Sequence, residues 1–182
     1  MRLLPTLFAL VLSGCATQPG VTLSPLPAWR APIAAETTFL STRVAALARN
    51  AVPGAFVSHA DDRYTLISHR WLEEYLSWTW HASKAAGIRY TPESFDCDDF
   101  SRIFETLATL AAAKAGVHAA PTLARIVVDL DGRTRHALLG VATDAGLFVV
   151  EPQPDAGPFR IVPLALYKQP IRSIIFGDFN PN

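Results

Sequence analysis

The sequence predicts an α+β domain in which helices come first and an antiparallel sheet follows. Three observations carry this expectation. Two long stretches, 68–86 and 97–115, repeat apolar residues every three to four positions, the period of an amphipathic helix. The C-terminal third changes period, with turn signals at Asp131-Gly132 and Asp144-Ala145-Gly146 between short apolar runs. Half of the 182 residues are hydrophobic, enough for one core of ordinary size.

Taken in order, the chain opens with Met1-Arg2, an apolar run from Leu3 to Leu12, and Ser13-Gly14-Cys15. A charge, a short apolar stretch and small residues at the cut make a signal peptide, and the run is too short to span a bilayer. Leu12-Ser13-Gly14-Cys15 also resembles the lipobox of bacterial lipoproteins. That resemblance implies lipidation of Cys15 and, with Ala16 following it, anchoring at the outer membrane facing the periplasm of a Gram-negative host. Residues 1–15 are then the signal, 16–34 a tether rich in proline (Pro25, Pro27, Pro32), and 35–182 the domain.

A helix is expected over 35–49, with Phe39, Val44 and Leu47 on one side and Pro53-Gly54 beyond its end. Residues 55–66 show no clear period. The helix of 68–86 buries Trp71, Leu72, Tyr75, Leu76, Trp78 and Trp80, keeps Glu73 and Glu74 outside, and stops at Gly87. After a loop at Tyr90–Phe95, a third helix starts near Cys97 and runs to Ala115, its stripe made by Phe100, Ile103, Phe104, Leu107, Leu110 and Ala111. Strands follow at 123–130, 133–143 and 147–151, with two more at 159–163 and 171–176.

Sixteen basic residues balance sixteen acidic ones without a basic cluster, which argues against nucleic acid as the partner. With Cys15 lipidated, Cys97 is the one remaining cysteine and cannot form an intrachain disulfide. At a helix start, unpaired N–H groups and the helix dipole favour its thiolate. A strand histidine, His136, can hold the proton, and Glu151 can orient the imidazole. Hairpin register bears on this pairing. A turn centred between Thr143 and Asp144 sets Glu151 opposite His136. A turn centred on Asp144-Ala145 sets Glu151 opposite Leu138, within diagonal reach of His136, and offers Gln153 as the alternative orienting residue.

Phe95-Asp96-Cys97-Asp98-Asp99-Phe100, a later strand histidine and Glu151-Pro152-Gln153 together resemble the papain-like C-terminal domain of the fairy-ring mushroom agglutinin and its bacterial and phage relatives. The match covers roughly Tyr90 to Gln153. It implies a papain-like fold and a catalytic triad of Cys97, His136 and Glu151. Asp-Cys-Asp-Asp also resembles bacterial transglutaminase-like cysteine proteases, whose third member is Asp, a residue this chain lacks at that position.

Asp96, Asp98 and Asp99 oppose a thiolate by like-charge repulsion. A calcium ion held by these three would cancel that charge, and both families include metal-activated members. The plainer alternative is that Asp96 caps the helix and Asp98 and Asp99 favour its first turn. His59, His69, His81 and His118 show no metal-ligand spacing. The leading expectation is therefore a lipid-anchored cysteine peptidase acting on protein or peptide amide bonds. Two alternatives are a hydrolase of peptidoglycan stem peptides and a non-enzymatic binding or assembly module.

Overall fold

A computed structural model describes residues 24–32, 37–92, 96–130, 134–153 and 158–176. The first half of the chain supplies β1 (Thr38–Leu40), α1 (Ser41–Ala51), β2 (Phe56–His59), β3 (Arg63–Thr65), α2 (His69–Ala85) and α3 (Cys97–Lys114). The second half supplies β4 (Ala120–Pro121), β5 (Leu123–Asp129), β6 (Arg135–Thr143), β7 (Gly146–Val150), β8 (Ile161–Pro163) and β9 (Ile171–Phe176).

Six strands form one sheet in the order β2-β9-β5-β6-β7-β8, and three form a second in the order β1-β3-β4. The large sheet is covered on both faces. Val44, Ala45 and Ala48 of α1 pack against Ile126, Val128, Leu138 and Val149 on one side. Trp71, Leu72, Tyr75 and Leu76 of α2, with Phe104, Ala108 and Ala111 of α3, pack against Leu139, Val141 and Val150 on the other. Neighbouring residues of β6 and β7 thus serve opposite cores, as a period of two requires. Strand β6 is consequently buried from Ala137 through Thr143 and reads as an unbroken apolar run.

The α+β class holds in its coarse form. The order of helices followed by an antiparallel sheet does not. Residues 55–66 contribute β2 and β3, and β2 pairs in parallel with β9, more than a hundred positions later. Strand β3 pairs in parallel with β4. Runs this short have no local hydrogen-bonding partner, and their pairing depends on distant segments that no local period reveals.

The two long helices begin and end close to the expected places. Ser68 caps α2, its hydroxyl oxygen accepting the Trp71 N–H at 3.4 Å. The α3 stripe turns slightly from the expected one: Phe100, Phe104, Ala108, Ala111 and Ala112 are buried, while Ile103 is exposed. Leu47 of α1 likewise faces outward, and Ala45 and Ala48 take its place in the core. Residues 24–32, read as part of a tether, lie along α2. Trp78 Nε1 donates to the Ser24 carbonyl at 2.8 Å, Arg30 pairs with Glu74 at 3.2 Å, and the Trp29 and Trp71 rings meet at 4.7 Å.

Candidate functional site

The first turn of α3 is built by its own acidic residues. Asp96 is the N-cap: its Oδ1 accepts the Asp98 N–H at 3.2 Å, and Asp99 Oδ2 accepts the Asp96 N–H at 3.2 Å, a reciprocal capping box. Ser101, fully buried, donates its hydroxyl to the Cys97 carbonyl at 3.0 Å. Cys97 itself is half-buried.

The thiol meets strand β6 at its main chain, with the Ala137 N–H donating to Cys97 Sγ at 3.3 Å. Burial pushes the thiol above its ordinary range. The Ala137 N–H works against that shift, and the carboxylates of Asp96 and Asp98 add to it. Desolvation and adjacent negative charge thus act against the thiolate that a helix N-terminus favours.

One residue earlier on β6, His136 Nε2 lies 2.6 Å from Glu151 Oε2. The turn at Asp144-Ala145 sets the register: Leu139 pairs with Val150 and Thr143 with Gly146. Continuing that register puts Glu151 opposite Leu138, so it reaches His136 along the diagonal, the second of the two expected arrangements. The side chain that meets the imidazole is that of Glu151 rather than Gln153. Gln153 contributes its backbone N–H, which donates to Glu151 Oε1 at 3.2 Å. The three expected residues thus gather where α3 abuts β6 and β7. Among the described residues, no hydrogen bond joins the Cys97 thiol to the His136 imidazole.

Two arginines complete the constellation. Asp98 Oδ2 lies 3.2 Å from Arg102 Nη2 and 3.5 Å from Arg125 Nη1. Hydrogen bonding to Asp96, then burial, then the Asp96 charge raise the Asp98 carboxyl above its usual range, while the arginines pull the other way. Arg102 follows Asp98 at i+4, a spacing legible in the sequence. Arg125 comes from β5 and had no local signal. One oxygen from each of Asp96, Asp98 and Asp99 lies within 4.8 Å of the others. This hard-oxygen donor set fits a calcium ion in kind, with Arg102 and Arg125 already supplying positive charge beside it. The lipobox at Cys15 lies outside the described residues.

No protein-family model and no curated protein matches the chain. Two solved structures share its fold over 78% of its length. PSL1a in complex with E64 matches at a TM-score of 0.57 and 19% identity over 52% of that chain. Polyporus squamosus lectin, bound to the human-type influenza-binding epitope Neu5Acα2-6Galβ1-4GlcNAc, matches at 0.54 and 20% identity over 50% of that chain. The present chain therefore spans about half the length of these neighbours, and likeness at this identity establishes fold. The expected identification as a papain-like or transglutaminase-like cysteine peptidase is corrected to this fold alone: the two neighbours are a PSL1a–E64 complex and a lectin, and likeness at this identity assigns no role. The expected enzyme and hydrolase readings gain no support from these neighbours, whose likeness leaves the roles of Cys97, His136 and Glu151 unassigned.

Proposed function

We propose that this chain is a non-enzymatic binding module whose ligand is a glycan. The observation that carries the reading is the fold it shares, over 78% of its length, with half of a lectin chain. The site's own bonding is consistent with it. The Cys97 thiol accepts from the Ala137 backbone, and Glu151 is occupied by His136 and by the Gln153 N–H. Groups so engaged hold α3 to β6 and β7. In this reading Cys97, His136 and Glu151 hold the elements of the fold together.

Calcium at Asp96, Asp98 and Asp99 would neutralise the first turn of α3. Lipidation at Cys15 would tether the module to the outer membrane, facing the periplasm. The experiment is retention of the full chain on immobilised glycans, with Cys97→Ser measured beside it. Glycan retention by both proteins is expected. Failure to retain any glycan, or hydrolysis of a peptide lost in Cys97→Ser, sinks the proposal.

A further inference from the structure

We infer that the ligand groove is the one running along the outer face of α3, across β4 and toward Trp29, and that it takes a short neutral oligosaccharide. This inference rests on the glycan-binding reading and gives it a location away from Cys97.

The groove between α3 and β4 has a volume of about 580 Å³, within the range typical of small-molecule sites. Its floor is made of small apolar residues, among them Ala112, Ala113, Ala120 and Pro121. Its rim carries Asp61, Arg102, Glu105, Thr106, Thr109 and His118. A second hollow of about 330 Å³ shares Val117, His118 and Ala119 with it and extends the path to Trp29 and Arg63. Trp29 is held by its packing on Trp71, so one aromatic ring stands fixed at that end.

Three features select the ligand class. A lining of small apolar residues interspersed with hydrogen-bonding side chains matches a sugar ring, which has C–H faces and hydroxyl edges. Thr106 donates its hydroxyl hydrogen to the Arg102 carbonyl at 2.8 Å, leaving the oxygen as an acceptor for a ligand hydroxyl. Asp61 and Glu105 line the groove beside Arg102, which is already paired with Asp98, so the groove has no strong preference for an anion. An extended peptide is a poorer occupant. Strand β4, an edge of its sheet, contains Pro121, which has no N–H to offer to an added strand.

The test is a titration of the ¹⁵N-labelled full chain with chitotriose, cellotriose, maltotriose and Galβ1-4GlcNAc. At least one saccharide is expected to shift the amides of Thr106, Thr109 and His118 and the indole of Trp29. Thr106→Val/Thr109→Val and His118→Ala, all outside the buried core, should each weaken that saccharide about tenfold with the melting temperature unchanged. Shifts confined to the surroundings of Cys97, His136 and Glu151 would overturn the groove assignment and leave glycan binding standing. No shift with any of the four saccharides would overturn both.

Discussion

Cys97 shows how a single side chain is governed by competing local terms. Its thiol is raised by burial and by two carboxylates, so its folded-state pKa lies above the unfolded one. The sign follows from linkage: this group's contribution to stability is complete below the ordinary thiol range and fades as pH rises through the folded value. Iodoacetamide labelling of Cys97 should therefore rise at higher pH than labelling of free cysteine, and Asp98→Asn should move the profile back down. Labelling that follows the free amino acid would refute this account. Tyr75 offers a stability test. Its hydroxyl donates to the Phe104 carbonyl at 2.6 Å, fully buried between α2 and α3. Tyr75→Phe should cost about 0.5–1.5 kcal/mol in urea denaturation, since it removes one buried hydrogen bond while the helical N–H of Ala108 still satisfies the carbonyl. At the candidate site, the pairing of His136 with Glu151 was legible because the hairpin turn fixes which residues can meet. Arg125 was illegible, since a lone charged residue on a strand carries no sign of the helix it will face.

Among the elements, α2 and α3 were readable almost to their ends, because long helices repeat a period and carry their own caps. Asp96 and Asp99, three apart before an apolar stripe, announce the capping box. Asp96→Ala should lower stability by about 0.5–2 kcal/mol, read by thermal melting. The short strands β2 and β3 gave no such signal, since three or four residues cannot establish a period. Strand β6 contains a sharper constraint. Gly140 pairs with Ala124, and a Cβ added there would sit 2.7 Å from Ile126 Cδ1 and 2.9 Å from its Cγ1. Gly140→Ala should therefore destabilise the fold by about 1–3 kcal/mol, despite alanine's stiffer backbone. Combining it with Ile126→Ala should recover part of the alanine penalty, because the crowding atoms are removed. Strict additivity of the two changes would show that the contact is not the cause.

Over the whole molecule, three layers stack with the large sheet in the middle, and residues 24–32 strap the outer helix α2. The layering was half legible: apolar periods identify faces that must be buried, but they do not say which distant segment buries them. If calcium binds at Asp96, Asp98 and Asp99, addition of calcium to the full chain should raise the melting temperature and excess EGTA should reverse the rise. An Asp98→Asn/Asp99→Asn variant should lose the response. Identical melting curves in calcium and EGTA would remove the ion from the proposal.

The parallel pairing of β2 with β9 has a kinetic consequence. Strand β9 lies between β2 and β5, so an interior strand of the large sheet is supplied by the last described segment of the chain. Contacts this far apart in sequence are slow to form, and none can form before residues 171–176 have been synthesised. A nascent chain halted before Ile171 would display β2 and β5 as open edges, exposed to proteases and to each other's neighbours. Pulse proteolysis of the 1–170 fragment should show cleavage throughout β2 and β5, whereas the complete chain resists. Until residues 171–176 arrive, β2 has no partner strand and β5 has one open side, so the described sheet closes as a unit only when this segment docks between them.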